Sequence, residues 1–193
     1  MTAPSTRDRI LAIASDLFYR EGIRNVGVET ICREAGVKKP TLYHHFGSKD
    51  GLVAAYLEAQ DEAVFMRLTD AAEQASGQAA DKVAALFDRV AASAPKRSWK
   101  GCPFLRGAAE FASDRKHPAR TLAASHKRRF EAWLSDFLDQ HGIAEAKPLA
   151  RQLTVLLDGA VTHAFLHGDG DYARQTGEAA RVLIAAASAR PRR

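Results

Sequence analysis

Cysteine is scarce in this sequence, whose 193 residues contain only Cys32 and Cys102. Two thiols cannot build the multi-disulfide framework that staples a small secreted domain, and a reduced cytoplasm is the natural setting for such a chain. No apolar run reaches membrane-spanning length, and the opening MTAPSTRDR lacks the apolar core of a signal peptide. The expected protein is cytoplasmic, with no membrane partner. Alternation of apolar and polar residues at period two, bounded by turn residues, is found nowhere, which excludes a sheet and leaves an all-α fold. Signatures of catalysis are missing too. There is no phosphate-cradling glycine loop, nucleophile elbow or CxxC pair, and the Gly-x-Gly at Gly168–Gly170 is a lone turn. No enzyme activity, cofactor or resident metal is expected.

What is present is helix, and a mild basic excess. The net charge of +5 is compatible with nucleic acid, although many proteins so charged bind none. The stretch that organises the chain runs from Gly27 to Leu52. Val28, Ile31, Cys32 and Ala35 recur at helical spacing and make one apolar face; Cys32, on that face, is not placed to pair with Cys102. Gly36 ends this helix, since a residue leaving in the left-handed region is best a glycine, and Val37 follows as a buried anchor in the turn. A second short helix starts around Lys39 and Pro40, where proline's missing N–H does no harm. Leu42 and Phe46 face inward, and Lys38, Lys39, Thr41, Tyr43 and His44 face out. Gly47 stops it. Ser48 can cap the next helix, although Gly51 stands where a capping box would place a glutamate. Two short helices about a glycine turn, the second with a cationic, hydroxyl-bearing outer face, make a helix-turn-helix. Ahead of it, Ser5 or Thr6 caps a helix with the stripe Ile10, Ile13, Ala14, Leu17 and Phe18, closed by Gly22. The three helices form a head, with Met1–Pro4 loose before it.

This order of residues resembles the DNA-binding region of the TetR family of transcriptional regulators. The turn Ala35-Gly36-Val37, the run Thr41–Phe46 (TLYHHF) and the pattern Gly47–Asp50 (GSKD) match it together in type and spacing. Family members often carry Thr or Ser where Val26 and Gly27 stand, Ser at Lys38 and Gly at Pro40. The lost hydroxyls remove phosphate contacts from the start of the first motif helix, and the extra charge of Lys38 can replace one. The resemblance implies a homodimer on double-stranded operator DNA, released by a small-molecule effector. Lys39 and Lys49 would each neutralise a phosphate, and Tyr43 would donate its hydroxyl to another. Pro40, Thr41 and His44 lie on the first two turns of the recognition helix, the part that reaches base edges. Leu42 and Phe46 would be core and His45 peripheral.

Residues 1–47 are thus read as the DNA-binding domain and 48–193 as a ligand-binding and dimerisation domain of about six helices. A long helix spans Ser48–Ser76 with the apolar line Leu52, Ala55, Tyr56, Ala59, Ala63 and Met66, and Gln78–Ala94 follows with Val83, Leu86, Phe87 and Val90 inward. No helix is assigned to Gly101–Phe111 (GCPFLRGAAEF), which resembles a segment that some family members carry just before their sixth helix. Pro118–His141 is the second long helix. In the family, the helices behind the head enclose an effector pocket; the candidates here are Phe65, Phe87, Trp99, Phe104, Phe111, His126, Phe130 and Trp133, each of which could equally be plain core. Pro148–His167 is apolar on more than one side and needs cover on most of them, and Tyr172–Ala189 is dense in small residues. With the family's dimer bundle in view, Leu153, Leu157, Ala160, Val161, Ala164, Gly177, Ala180 and Leu183 are the expected dimer interface. Cys102 is either a thiol sensor beside Lys100 and Arg106 or a small core residue. His163 and His167, four apart, are either a metal pair or ordinary residues of a helix end. The tail Arg190–Arg193 is read as disordered. The competing function is an all-α ligand- or metal-binding enzyme with a fortuitous head.

Overall fold

The Ser5 hydroxyl accepts the Asp8 N–H at 3.2 Å and so caps the first of nine α-helices found among residues 4–189, which are those the computed structural model describes. The expectations for Met1–Ala3 and for Arg190–Arg193 lie outside the described residues. The helices are α1 (Thr6–Glu21), α2 (Val28–Ala35), α3 (Lys39–Phe46), α4 (Lys49–Gln74), α5 (Ala79–Ala91), α6 (Pro103–Glu110), α7 (Pro118–Gln140), α8 (Ala146–His167) and α9 (Asp171–Ser188). No strand occurs among the described residues, and none of their helices is long and apolar enough to cross a membrane. The fold is all-α, as the periodicity requires.

The chain folds as two compact units that are not cut at residue 47. The first takes the chain up to Glu62 together with Pro103–Ser125; the second takes Ala63–Cys102 and the chain from His126 onward. The first unit reaches past the three-helix head because the start of α4 is part of its core. Leu52, Val53, Tyr56 and Leu57 are buried there with Ile10, Leu17, Phe18, Ile31 and Leu42, and the rings of Phe18 and Tyr56 lie 5.6 Å apart. The segment given no helix from sequence, Gly101–Phe111, forms α6, and Gly107 sits against Ile23, Leu57 and Ala119. Ile13, Val37 and Phe46 are half-buried, not core. The Arg7 guanidinium lies 5.1 Å from the Phe46 ring, so that ring is a lid at the edge of the head.

The apolar line drawn along α4 holds only as far as Tyr56. Ala59, Ala63 and Met66 are exposed, and no residue from 58 to 68 is fully buried; burial resumes at Thr69 and Ala72. Alanine carries too little apolar area to fix which way a helix faces, which is why the stripe misled here. The start of α4 is firmer than its missing capping-box glutamate implies, because the Ser48 hydroxyl accepts the Gly51 N–H at 3.0 Å. Glycine at 51 has a reason of its own: a Cβ there would collide with the Phe46 carbonyl oxygen that closes α3.

In the second unit α5, α8 and α9 make the closest helix packing. Val83, Leu86, Phe87 and Val90 of α5 are all buried, as the spacing predicts. They share a core with Phe130, Leu134, Phe137 and Leu138 of α7, Leu149, Leu153 and Leu157 of α8, and Ala173, Ala180 and Ile184 of α9. Gly177 lets α9 settle directly on Phe87. Asp81 of α5 accepts the Gln78 N–H at 3.0 Å and pairs with Arg181 of α9. These contacts hold Asp81's carboxyl below the usual range, the backbone hydrogen bond contributing most.

The tight passage from α3 into α4 yields a prediction. Gly51→Ala should destabilise the head by about 1–3 kcal/mol, the usual range for an overpacked site, read as a lowered thermal unfolding midpoint. An unchanged midpoint would mean that α3 and α4 do not meet as closely as described.

Candidate nucleic-acid interface

The turn between α2 and α3 closes as its sequence demands. Gly36 has φ 63° and ψ 37°, the left-handed conformation that costs glycine nothing. Its N–H reaches the Arg33 carbonyl at 3.3 Å, and the Val37 N–H reaches that of Cys32 at 3.0 Å. Two of the carbonyl oxygens left over at the end of α2 are thereby satisfied. Cys32 is buried, and burial pushes its thiol pKa up, so it behaves as a small core residue. Lys38 precedes α3 without a side-chain cap, and its carbonyl accepts the Thr41 and Leu42 N–H groups at 3.0 and 3.3 Å. Leu42 has no exposed surface and pins α3 to the head. With that side fixed, Lys38, Lys39, Pro40, Tyr43 and His44 are exposed together and Thr41 is half-buried beside them. Five of the seven residues read as DNA contacts therefore lie on one short helix, and Lys38 immediately precedes it. Tyr43 keeps 43% of its surface open, enough for its hydroxyl to serve an outside acceptor.

The seventh, Lys49, is at the first position of α4 and is half-buried. Burial lowers its pKa, against the opposing pull of Glu110 and Asp50. Glu110 is the acidic residue that sequence reasoning missed. As the last residue of α6 it accepts the Ile23 N–H at 3.0 Å and the Arg24 N–H at 2.7 Å, in the link between α1 and α2. One turn earlier, Arg106 donates to the Tyr19 carbonyl at 2.6 Å. Further along, the Arg24 guanidinium lies 4.9 Å from the Phe111 ring, which stacks on His117 at 3.4 Å. His117 is buried and accepts the Ala119 N–H through Nδ1 at 3.1 Å. Its proton is then on Nε2, which faces Asp50 of α4 at 3.3 Å. The first unit thus ties α1, α4, α6 and the start of α7 to the platform that presents α3. These partners are 67 to 87 residues apart, and no local pattern announces them. Glu29 was missed as well; it pairs with Lys39 across the turn.

The residues proposed for an effector fall into separate groups. In the second unit the Trp133 ring lies 6.3 Å from Phe65 and 5.6 Å from Phe130, with the Arg129 guanidinium 3.8 Å from Phe65. Trp133 also lines an open cleft of about 360 Å³ with Phe137, Glu73, Lys82, Asp136 and His141. Phe87 is fully buried under α9, and His126 is buried on α7. Trp99 is set apart, edge-on to Phe165 at 6.3 Å. Phe104 and Phe111 belong to the first unit, where Phe104 is core and Phe111 makes the stack already described. Cys102 is half-buried with a free thiol.

The expected dimer residues lie mostly inside the chain itself. Leu153, Leu157, Ala160, Ala164, Gly177 and Ala180 are buried in the chain's own core, and only Val161 and Leu183 are half-buried. A side chain with no exposed surface has none to give a partner. The large apolar side chains open to solvent on α8 and α9 are Val155, Phe165, Leu166, Tyr172 and Val182. His163 and His167 are exposed beside Tyr172, their rings 5.5 and 4.7 Å from it. No group of three or more potential metal ligands forms among the described residues.

Residues 10–56 match the family described as bacterial regulatory proteins, tetR family. Over 71 residues the chain is 34% identical to the transcriptional regulator UidR of Escherichia coli, covering 37% of this chain and 36% of that one. Over 89 residues it is 30% identical to the transcriptional repressor NemR of the same species, covering 46% and 45%. The chain therefore spans less than half the length of these curated relatives. The likeness to solved structures is longer. A TetR transcriptional regulator from Streptomyces avermitilis superposes with a TM-score of 0.82 at 32% identity, covering 95% of this chain and 98% of that one.

The Glu110 contacts yield a prediction. Glu110→Ala removes the acceptor of two backbone N–H groups, which should cost the first unit about 1–3 kcal/mol if water cannot replace it fully. The Ile23 and Arg24 amides should then exchange hydrogen faster than in the parent chain. Unchanged protection of both amides would show that the carboxylate does not hold this link.

Proposed function

The chain belongs to the TetR family of bacterial transcriptional regulators, and from that premise we propose that it is a homodimeric repressor which a small molecule releases from a palindromic operator. The observation that carries the reading is the accessible side of α3. It presents Lys39, a tyrosine, a histidine and a threonine, with Lys38 just before them, on a short helix whose opposite side is anchored by the fully buried Leu42. Lys38, Lys39, Lys49 and Tyr43 serve phosphates, and Pro40, Thr41 and His44 serve base edges in the major groove. In this reading residues 1–47 carry DNA binding and residues 48–193 carry dimerisation and effector binding, in the cytoplasm.

A second copy covers the outward sides of α8 and α9. Val155, Leu166 and Val182 are each about two-thirds exposed, and an open groove of about 630 Å³ runs past Leu156, Tyr172, Thr176 and Ala179. Apolar surface of this kind on paired helices is best covered by another protein surface. The effector enters beside Trp133, which lines the open cleft with Phe137 and is packed behind by Phe65 and Phe130. Both α4 and α7 continue from the second unit into the first, so a ligand that shifts either helix alters the seat of α3. By linkage, operator DNA then weakens effector binding by the same factor.

Three results test this. The purified chain should shift DNA from upstream of its own gene at moderate salt; failure on that DNA and on duplexes selected from a random pool would remove the DNA-binding role. Tyr43→Phe and Lys49→Ala should weaken specific and non-specific binding alike, and Lys49→Ala should make the salt slope shallower by about 0.9 for each phosphate left without its cation. His44→Ala should instead change the selected sequence. Val182→Glu should sediment as a folded monomer, since a charge is costly on a covered apolar face. A dimer that persists unchanged would place the interface elsewhere.

A further inference from the structure

Lys39, the first residue of the recognition helix, is not free in the unbound chain. Its ammonium is in an ion pair with the carboxylate of Glu29, in the first turn of α2. The pair bridges the two helices of the motif at its accessible edge, with both side chains at least half exposed. Each partner holds the other ionised: the hydrogen bond from Lys39 keeps Glu29's carboxyl below the ordinary range, and Glu29 keeps Lys39's ammonium above it. Lys38 next to it makes no ion pair among the described residues. Of the two lysines at the start of α3, Lys38 is therefore available and Lys39 is already neutralised by an internal carboxylate.

That arrangement bears on specificity. Binding to arbitrary DNA comes almost wholly from cations meeting phosphates. A carboxylate that occupies Lys39 and itself repels phosphate reduces this sequence-independent term. On the correct sequence the same carboxylate has a second effect. It holds the flexible lysine in one orientation at the head of α3, so part of the ordering cost is met before DNA arrives. On the operator, repulsion and positioning oppose each other; on arbitrary DNA only the repulsion is felt. We propose that Glu29 is a specificity-determining residue, a negative element that suppresses binding to non-operator DNA while positioning Lys39 for the operator. The proposal rests on the reading of Lys39 as a DNA contact.

The test compares two labelled duplexes by fluorescence anisotropy across a salt series. One is an operator selected from a random pool by the parent chain, and the other is a scrambled duplex of equal length. Glu29→Gln should bind the scrambled duplex about three- to tenfold more tightly at fixed salt, with a salt slope steeper by about 0.9 per head. Its affinity for the operator should change less, so that the ratio between the two falls. In a Lys39→Ala background the same substitution should produce a clearly smaller gain, since only the direct repulsion of phosphate by the carboxylate is then relieved. An unchanged affinity and slope on scrambled DNA, or an equal gain on both duplexes, would overturn the role of Glu29. Lys39→Ala alone separates the two levels. If it leaves affinity and slope untouched, the reading of Lys39 as a contact falls and the proposal with it. If it weakens binding while Glu29→Gln brings no gain, only the proposal falls.

Discussion

The carboxylate of Glu110 is the constraint on which the DNA-binding unit depends. Three-helix heads built from short helices bury little apolar surface, and α2 and α3 are eight residues each, too short to be stable alone. Leu42, Ile31 and Phe18 supply the core, but the backbone between α1 and α2 leaves a helix end with N–H groups that need partners. Glu110 supplies both acceptors from one side chain, and a charged acceptor makes stronger hydrogen bonds than a neutral one. Arg106 satisfies the Tyr19 carbonyl at the end of α1 from the same helix. The helix-turn-helix is consequently completed by α6, a helix that is distant in sequence, and His117 adds a third tie to the first turn of α4. The orientation of α3 is set by contacts that a change in α6 or α7 would disturb.

The second unit obeys a different constraint, that of covering helices which are apolar on several sides. α8 gives Leu149, Leu153, Leu157 and Ala164 to its own core and still leaves Val155 and Leu166 open. α9 does the same with Ala173, Gly177, Ala180 and Ile184 inside and Val182 outside. On the inner side of α9 the small residues Ala173, Gly177 and Ala180 let it sit close to Phe87, while Val182 is turned outward. The distinction decides which residues a partner could touch.

Much of this was legible in the residues. Period and capping located eight of the nine helices, and the stretch Gly27–Leu52 yielded the turn, the buried side and the exposed side of the motif with little error. Phe46 and Val37 were over-buried because an apolar residue in a small head has few neighbours to cover it. α4 was misread beyond Tyr56, since Ala59 and Ala63 suit core and solvent equally. α6 was missed because eight residues opening on Cys-Pro and interrupted by Gly107 carry a weak helical signal. Most of the expected interface residues are buried within the chain itself, because apolar spacing says that a side is covered, not by what. Glu29, Asp50, Arg106 and Glu110 were invisible as partners because their roles exist only across turns or over long separations, where chemistry meets geometry and not sequence.

In the proposed complex two copies of α3 enter successive major grooves on one face of a duplex. Hydroxyl-radical footprinting of the parent chain on its selected operator tests this most directly. Two protected patches on the same face, with centres about one helical turn or 34–36 Å apart and related by the dyad of the sequence, are the predicted result. One continuous patch without a dyad, or protection that does not depend on the sequence, would contradict it.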